Sequence, residues 1–191
     1  MVKNYNEILY ENETLLTDRL ILRKFTKEDA PDVLEWGSDE EALRYLSWEG
    51  VTTIEEAKAA IFNYNLSRPG IFAIELKETG MCIGSLDLRV EPEHDKLIFG
   101  YVLKPAYWGK GYMTEVLHAV LELCFDKLDA NRVEAHHFAG NVGSGRVMTK
   151  CGMKFEGIAK QQLKIKGIFR DICHYGITKE DWVCNTGGSC T

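Results

Sequence analysis

The chain has 191 residues, enough for one compact domain, and its 45% hydrophobic and 27% charged residues are ordinary for a globular protein. This composition excludes the fibrous and disordered classes, and no apolar run reaches the length of a membrane span. The net charge of −6 disfavours a nucleic-acid partner, whose phosphates are usually met by clustered Lys and Arg.

Residues 1–12 mix charged and apolar side chains, which predicts no targeting segment and a soluble, cytoplasmic protein. Six cysteines are scattered along the chain without a Cys-x-x-Cys pair or a histidine at zinc-finger spacing. We therefore expect small buried thiols in a reducing compartment and no metal site.

Hydrophobic alternation predicts a first strand at 19–24. Thr26 and Asp29 stand three residues apart, the spacing of a capping box, so a helix should begin near Thr26. A second amphipathic helix is expected at 53–66, and a turn follows it at Pro69-Gly70. Strands at 71–76, 82–90 and 96–103 come next, and their short polar connectors predict antiparallel pairing.

The clearest helix follows these three strands. Apolar residues recur at i, i+3 and i+4 spacing over about four turns: Met113, Val116, Leu117, Val120, Leu121, Cys124 and Leu128. A strand at 132–138, a short helix at 144–151 that ends at Gly152, and two strands at 154–164 and 171–178 complete the pattern.

This order of elements predicts one mixed α/β domain of the α+β kind, with a largely antiparallel sheet of about seven strands flanked by helices. We assign residues 1–182 to this domain and residues 183–191, which are mostly small and polar, to a loose tail. No heptad repeat or interface stripe indicates an oligomer, so a homodimer stays an open alternative.

The chemistry is expected where the strand at 96–103 meets the long helix. Gly100 inside an apolar strand suggests a bulge or a close backbone approach, and Pro105, which has no N–H group, should end pairing with the next strand, so that the strand splays open. Gly109 and Gly111 leave the following turn without side chains. The free N–H groups and the positive dipole of the helix entered there favour an anion such as phosphate.

The same glycines also fit an ordinary strand-to-helix loop that needs glycine only for its geometry. Two known phosphate motifs do not fit this turn. Gly109-Lys110 is followed by Gly111 instead of Ser or Thr, which excludes a Walker loop, and Thr114 stands where the dinucleotide fingerprint needs its third glycine.

Several segments carry a resemblance to a known family: 17–29, 109–115 (Gly-Lys-Gly-Tyr-Met-Thr-Glu), Asn141-Val-Gly-Ser144, Lys150-Cys-Gly-Met153 and 167–171. In these the chain resembles the GNAT superfamily of N-acetyltransferases, and specifically the branch that acetylates the amino termini of ribosomal proteins, over about residues 14–180. Gly111 matches the family's cofactor motif, whereas Trp108 replaces its Gln or Arg and Met113 replaces its final small residue.

The resemblance implies the GNAT fold and transfer of an acetyl group from acetyl-CoA, the co-substrate, to a primary amine by direct attack in a ternary complex. It implies that the pantetheine arm pairs with the splayed strand, that a backbone N–H group of that strand polarises the acetyl carbonyl, and that Asn141 holds the arm. The residues assigned to acetyl-CoA binding are Tyr101, Val102, Leu103, Trp108, Gly109, Lys110, Gly111, Tyr112, Met113, Thr114, Asn141 and Ser144.

The resemblance also indicates catalytic positions. Many family members place a tyrosine acid seven residues after the asparagine, but Met148 stands there, so Ser144 is assigned as the general acid, as in this branch. A thiol with a pKa of about 8.5 is already a fair leaving group, and a hydroxyl hydrogen bond can suffice. The alternative role for Ser144, satisfying backbone donors at a helix start, is equally open.

No general base is assigned, because Ile98 replaces the glutamate that some members carry on the splayed strand. His136 and His137 are adjacent on a strand and point to opposite faces, so they cannot together form a dyad or a metal site. Each of these histidines is a candidate base, as are Asp87, Glu134 and His94, with an ordinary surface or core role as the alternative.

The missing base bears on the acceptor. At pH 7, neutralising an α-amino group of pKa about 8 costs about 1.4 kcal/mol, and neutralising a lysine costs about 4.6 kcal/mol. A protein N-terminus, such as that of a ribosomal protein, is therefore the expected acceptor. A small amine (a polyamine or an aminoglycoside) and a non-catalytic acyl-CoA-binding sensor are the alternatives.

Acceptor residues are expected in the first two helices and in the region 157–170. Tyr45, Trp48 and Tyr64 are candidates for lining that pocket, with core packing as the other interpretation.

Overall fold

The structure is a computed structural model that describes residues 3–187. Its helices are α1 (Tyr5–Glu11), α2 (Ala30–Gly37), α3 (Glu40–Leu43), α4 (Ile54–Ala60), α5 (Tyr112–Glu122), α6 (Val142–Lys150) and α7 (Lys179–Asn185). Its strands are β1 (Leu15–Leu16), β2 (Leu20–Arg23), β3 (Ile71–Leu76), β4 (Cys82–Glu91), β5 (Lys96–Leu103), β6 (Arg132–Phe138), β7 (Lys154–Ile165) and β8 (Ile168–Thr178). A π-helical turn at Ile61–Asn65 extends α4, and another at Leu123–Lys127 extends α5.

All eight strands form one sheet in the order β1-β2-β3-β4-β5-β6-β8-β7. Every neighbouring pair is antiparallel except β5 and β6, which are parallel and are joined through α5. The prediction of a mixed, largely antiparallel sheet is confirmed. The strand count exceeds the predicted seven by one because the two-residue strand β1, too short to show a period, pairs with β2.

The sheet separates two hydrophobic cores. One face packs against α5 and α6 and holds the larger core, which includes Leu97, Phe99, Val116 and Val133. The other face packs against α2 and α4 around Trp36 and Ile61. Alternate residues of a strand point to opposite faces, so β5 contributes to both layers.

The predicted helix starts near Thr26 and Thr53 are confirmed, the first as a 3₁₀ turn (Lys27–Asp29) that leads into α2. The Asp29 carboxylate accepts a hydrogen bond from the Thr26 amide (2.8 Å), and the Thr53 hydroxyl caps α4. Helix α6 begins at Val142, two residues before the predicted start, because the Asn141 side chain provides its cap. Gly152 after it has a left-handed backbone, as predicted.

Three short helices were not predicted: α1, α3 and α7. Each has seven residues or fewer, so hydrophobic periodicity carries little signal. Helix α7 continues through Asn185, so residues 183–185 are helical, which corrects the loose-tail prediction there. Trp182 stacks on Phe125 at 5.6 Å and anchors this helix to the larger core. Residues 188–191 of the predicted tail lie outside the described residues.

Four of the cysteines are free and buried, as predicted: Cys82, Cys124, Cys151 and Cys173. Cys184 is disulfide-bonded, so the prediction of thiols is wrong at that position. Within residues 3–187, no helix has the length and apolar character needed to cross a bilayer. The same residues contain no cluster of three or more His, Cys, Asp or Glu suited to a metal ion.

Candidate functional site

Strands β5 and β6 part after four paired residues. Their parallel pairing runs from Lys96 with Arg132 to Phe99 with Ala135 and then stops. Beyond it, β5 stays paired with β4 as far as Leu103, and β6 stays paired with β8 as far as Phe138. We call the space between residues 100–103 and residues 136–138 the gap.

The splay was predicted, but its position and cause differ from the expectation. Pairing with β6 ends at Phe99, well before Pro105. Gly100 is not part of a bulge, since the register between β4 and β5 is continuous from Leu103 to Lys96. The strands part because each follows its outer neighbour in a twisted sheet.

Backbone groups of β5 face the gap. The Lys104 amide donates to the Ile83 carbonyl of the β4 side (2.8 Å). Amides alternate in direction along a strand, so those of Tyr101 and Leu103 point toward the gap. The Leu103 carbonyl points the same way and accepts a hydrogen bond from the Trp108 indole (2.6 Å). Trp108, at the position of the family's Gln or Arg, therefore ties the end of β5 to the turn.

The turn between β5 and α5 is open. Gly109 and Gly111 have positive φ angles of 73° and 83°, which glycine adopts without strain. A Cβ atom at Gly109 would meet no atom within 4 Å, and one at Gly111 would meet only the Arg19 guanidinium at 3.5 Å. The backbone conformation favours glycine at both positions, and only the Arg19 guanidinium approaches the space above the turn.

The N–H groups of this turn are available to a ligand. The first amide of α5 with a backbone partner is that of Glu115, which donates to the Gly111 carbonyl (3.1 Å). In the part of the chain that the structure describes, the amides of residues 109–114 donate to no turn or loop carbonyl and to no side chain. A helix start with free amides attracts anions.

A carboxylate that sequence analysis did not single out holds this helix start. Glu115 accepts hydrogen bonds from the Thr17 hydroxyl (2.6 Å), the Arg19 amide (2.7 Å) and the Arg19 guanidinium (2.7 Å). Burial raises the pKa of Glu115, but these three donors outweigh burial, and the net pKa lies below its ordinary value.

Arg19 also contacts the turn directly. Its guanidinium donates to the Lys110 carbonyl (3.0 Å) and lies 4.3 Å from the centre of the Tyr112 ring. The only sequence signal for this pair was that both residues fall in segments that resemble the family. The contact joins positions 96 residues apart, which local patterns do not reveal.

The remaining residues assigned to β5 and α5 lie on different sides of the sheet. Tyr101 packs toward the larger core and stacks on Phe99 (ring centres 6.2 Å apart, planes at 16°). Val102 packs against the smaller core. Leu103 and Met113 are buried in the larger core, so their contribution to a ligand site is limited to backbone groups.

Helix α6 begins beside the gap. The Asn141 side chain accepts a hydrogen bond from the Ser144 amide (3.2 Å), so it is engaged as a helix cap. The half-buried Ser144 lies in the first turn and donates no hydrogen bond within the described residues. Met148 is buried in the larger core.

Most candidate bases are engaged or distant. Asp87 accepts from the Tyr64 hydroxyl (2.6 Å) and pairs with Arg68. Burial raises the pKa of Glu134, but ion pairs with Arg132 and Lys96 outweigh it, and the net pKa is lowered. His94 lies in the turn before β5, roughly 20 Å along the strand from the gap.

The two adjacent histidines point to opposite faces, as predicted. His137 is buried, and its Nδ1 lies 2.8 Å from the Phe138 carbonyl. It lines an open groove of about 640 Å³ together with residues of α6 and β8 such as Gly145 and Tyr175. His136 is exposed on the α2 and α4 side, one residue beyond the last β5–β6 pair.

The pKa of His136 is lowered from its ordinary value. Part of the residue is open to solvent, but desolvation by the groups packed around the ring lowers its pKa most, and the nearby His174 and Arg89 lower it further. The His174 ring lies 6.0 Å away, and its Nε2 is 2.6 Å from the Gln162 side-chain oxygen.

The β7–β8 hairpin reaches across the α2 and α4 side. The Lys166 ammonium at its tip donates to the Leu43 carbonyl of α3 (3.2 Å). The Arg170 guanidinium lies 5.8 Å from the Phe138 ring centre, and its Nε has no partner within the described residues. These contacts form a wall beside the gap. Sequence patterns had indicated only that the region 157–170 contributes to acceptor binding.

The aromatic residues proposed for the acceptor pocket have separate surroundings. Tyr45 lies close to Gly140, just before α6. Trp48 packs edge-on against Trp36 of the smaller core, which favours a packing role. Tyr64 is exposed and donates to Asp87.

A model of the acetyltransferase (GNAT) domain family matches residues 19–154. The uncharacterized N-acetyltransferase YnaD of Bacillus subtilis is 33% identical over 169 residues, which cover 88% of this chain and 98% of YnaD. The [ribosomal protein uS5]-alanine N-acetyltransferase of Escherichia coli is 32% identical over 83 residues, 44% of this chain and 43% of that enzyme. The crystal structure of a GNAT-family acetyltransferase from Bacillus anthracis superposes with a TM-score of 0.80 at 28% identity, covering 87% of this chain and 99% of that one.

Proposed function

The chain belongs to the GNAT family of acetyltransferases and is an acetyl-CoA-dependent N-acetyltransferase, and from this premise we propose that its acceptor is the N-terminal α-amino group of a protein. The observation that carries the assignment of the site is the gap between β5 and β6, which opens onto the amide-lined start of α5. A partial match to an enzyme that acetylates ribosomal protein uS5 supports a protein acceptor.

The acetyl-CoA pyrophosphate is proposed to bind the amides of residues 109–114. Support comes from the open space above Gly109 and from the ion pair of Arg19 with Glu115, which keeps the helix start in place. The pantetheine arm then follows β5 into the gap, where the Tyr101 and Leu103 amides are available as donors. Asn141 contributes by capping α6 at the edge of this path.

Acetyl transfer begins with attack of a neutral amine on the thioester carbonyl. A β5 amide in the gap polarises that carbonyl, and a fixed donor of this kind stabilises the developing oxyanion. The carbon–nitrogen bond forms, the carbon–sulfur bond breaks, and CoA leaves as its thiolate. The amine gives up one proton.

We assign acceptance of this proton to His136. Its imidazole lies at the mouth of the gap, and its lowered pKa keeps it neutral at pH 7. The carboxylates on the same face, Asp87 and Glu134, are held in ion pairs with Arg68 and Lys96, which makes them weak bases. One water molecule can bridge the amine and the imidazole.

The modest strength of this base favours an α-amine over lysine. Deprotonation at pH 7 costs about 1.4 kcal/mol for an α-amino group of pKa about 8 and about 4.6 kcal/mol for lysine. An α-amino group is also followed by a peptide carbonyl, which the Arg170 guanidinium beside Phe138 can bind, since its Nε has no partner among the described residues. We therefore place the acceptor chain along the β7–β8 hairpin. Because the proposed acceptors are newly made proteins, we place the enzyme in the cytoplasm.

The test is an acceptor screen with acetyl-CoA, read by thiol release and by mass of the product. Peptides with free Ala or Ser N-termini, including those of ribosomal proteins, are compared with matched Nα-blocked peptides that carry one internal lysine. Spermidine and an aminoglycoside complete the panel. We expect the free N-termini to react with the highest kcat/KM.

Three outcomes would contradict the proposal in different ways. A preference for the blocked lysine peptide would overturn the α-amine assignment, and a preference for spermidine or the aminoglycoside would indicate a small-molecule enzyme. Binding of acetyl-CoA with no turnover on any amine would indicate a sensor.

A further inference from the structure

The Tyr101 hydroxyl is buried without a hydrogen-bond partner among the described residues. The ring is held in place by stacking on Phe99 and by packing against the larger core. Tyrosine hydroxyls that are buried usually find a partner, because leaving one unsatisfied costs free energy. The buried Tyr101 hydroxyl therefore calls for a hydrogen-bond partner that the described residues do not supply.

Tyr101 lies on the half of β5 that has left β6, so its backbone borders the gap. Its side chain points to the α5 and α6 side of the sheet. There the Ser144 hydroxyl stands opposite and interacts with the phenol, although the two form no hydrogen bond of normal geometry. Neither hydroxyl donates a hydrogen bond of normal geometry within the described residues.

Burial raises the pKa of Tyr101 to about 12, and Ser144 only partly offsets this. The phenol therefore keeps its proton at neutral pH and is a donor. Cys151, also nearby, is engaged with the Thr114 carbonyl at 3.6 Å. It therefore offers the phenol no good partner.

We propose that the Tyr101 hydroxyl donates a hydrogen bond to the thioester sulfur of acetyl-CoA and stabilises the departing thiolate, a proposal that rests on the function proposed above. Met148 occupies the helix position from which many family members supply a phenol. Here the phenol comes from strand β5 instead, and Ser144 is a positioning residue that orients it.

The step balances without transfer of the phenolic proton. As the carbon–sulfur bond breaks, its electron pair stays on sulfur, and the thiolate accepts the Tyr101 hydrogen bond. A phenol this weak in acidity does not protonate a thiolate whose thiol has a pKa of about 8.5. The amine proton leaves through His136 to solvent, and CoA is released as thiolate or, after solvent protonation, as thiol.

The test compares the full-length protein with Tyr101→Phe, which removes only the hydroxyl. Because that hydroxyl makes no hydrogen bond of normal geometry within the described residues, we expect the Tm to be unchanged or raised. The Kd for acetyl-CoA should change little, whereas kcat should fall by about 100-fold, the lower range for loss of one preorganised hydrogen-bond donor to a developing negative charge. Tyr10→Phe, at an exposed residue far from the gap, is the matched control and should leave kcat unchanged.

A second measurement tests the hydrogen bond from Tyr101 to the CoA sulfur without turnover. Coenzyme A is bound to each protein, and its thiol is titrated by the ultraviolet absorbance of the thiolate. In wild-type protein the pKa of the bound thiol should lie below that in Tyr101→Phe by about one unit, because a charge-assisted hydrogen bond stabilises the thiolate. Ser144→Ala should produce a smaller shift in the same direction.

The two proposals fail differently. If wild-type protein neither binds acetyl-CoA nor releases thiol, the proposed function is wrong. If wild-type protein turns over and Tyr101→Phe has the same kcat and the same bound-thiol pKa, the phenol takes no part. A lower Tm in Tyr101→Phe with an unchanged thiol pKa would show that the hydroxyl has only a structural partner, such as a buried water.

Discussion

Replacement of Gly109 by alanine distinguishes two roles of the turn, because the conformational requirement for glycine affects stability and the proposed ligand contact affects acetyl-CoA affinity. A left-handed φ costs a non-glycine residue about 1–2 kcal/mol. The new methyl group would meet no protein atom within 4 Å, so we expect no further loss of stability. For a chain of this size the Tm should fall by about 2–4 °C for each kcal/mol.

The effect on acetyl-CoA should be larger, because the methyl group enters the space that the free amides face. Loss of one charge-assisted hydrogen bond to phosphate, about 1.5–3 kcal/mol, corresponds to a Kd raised about 10-fold to 100-fold. The matched control is Gly80→Ala in the β3–β4 loop. Gly80 has the same φ of 73° and equally open surroundings.

The assay is calorimetric titration of acetyl-CoA into each variant, with thermal unfolding in parallel. Both variants should lose similar stability, and only Gly109→Ala should lose affinity. Equal Kd values for wild-type protein and both variants would refute the placement of the pyrophosphate at this turn.

Three further changes test the supports of the site. Glu115→Gln weakens the ion pair with the partly exposed Arg19, and we expect the unfolding free energy to fall by about 1 kcal/mol, measured by thermal unfolding. Acetyl-CoA should also bind more weakly, measured by titration. Asn141→Ala removes the cap of α6 and should cost about 1 kcal/mol, whereas Asn141→Asp should retain the cap and most of the stability in denaturant unfolding. Burial raises the pKa of Asp29, but Arg23 and the capping contacts outweigh burial and lower it. Its stabilising effect is therefore full above the unfolded pKa of about 3.9 and is lost as pH falls through the lower folded pKa. Asp29→Asn should cost about 3 kcal/mol by leaving the Arg23 charge with one partner fewer, and it should flatten the acid limb of the pH–stability curve. An unchanged acid limb would contradict this assignment.

Elements with a strong local signal were predicted correctly. The stripe that begins at Met113 specifies α5 because its period of 3.6 repeats over several turns, and the three strands before it have β-rich runs between polar connectors. The prediction that the turn binds an anion also rests on local chemistry, since glycine backbone freedom and free amides are properties of a few consecutive residues.

The details of the site could not be predicted in the same way. The partner of Trp108, the pairing of Arg19 with Glu115 and the orphaned hydroxyl of Tyr101 arise from contacts between segments or from their absence. A side chain's hydrogen-bond partner depends on which distant backbone is brought beside it.

From its own residues the chain specified the alternation of helices and strands, the glycine turn at the start of α5 and the likeness to acetyltransferases, because these depend on neighbours in sequence. Tertiary structure decided where β5 leaves β6, because that point depends on how each strand twists with its outer neighbour. It also decided which of two adjacent histidines, His136 and His137, borders the gap and which is buried. Sequence showed only that they face opposite ways, and the packing of helices on the two faces of the sheet determined which of the two rings is buried.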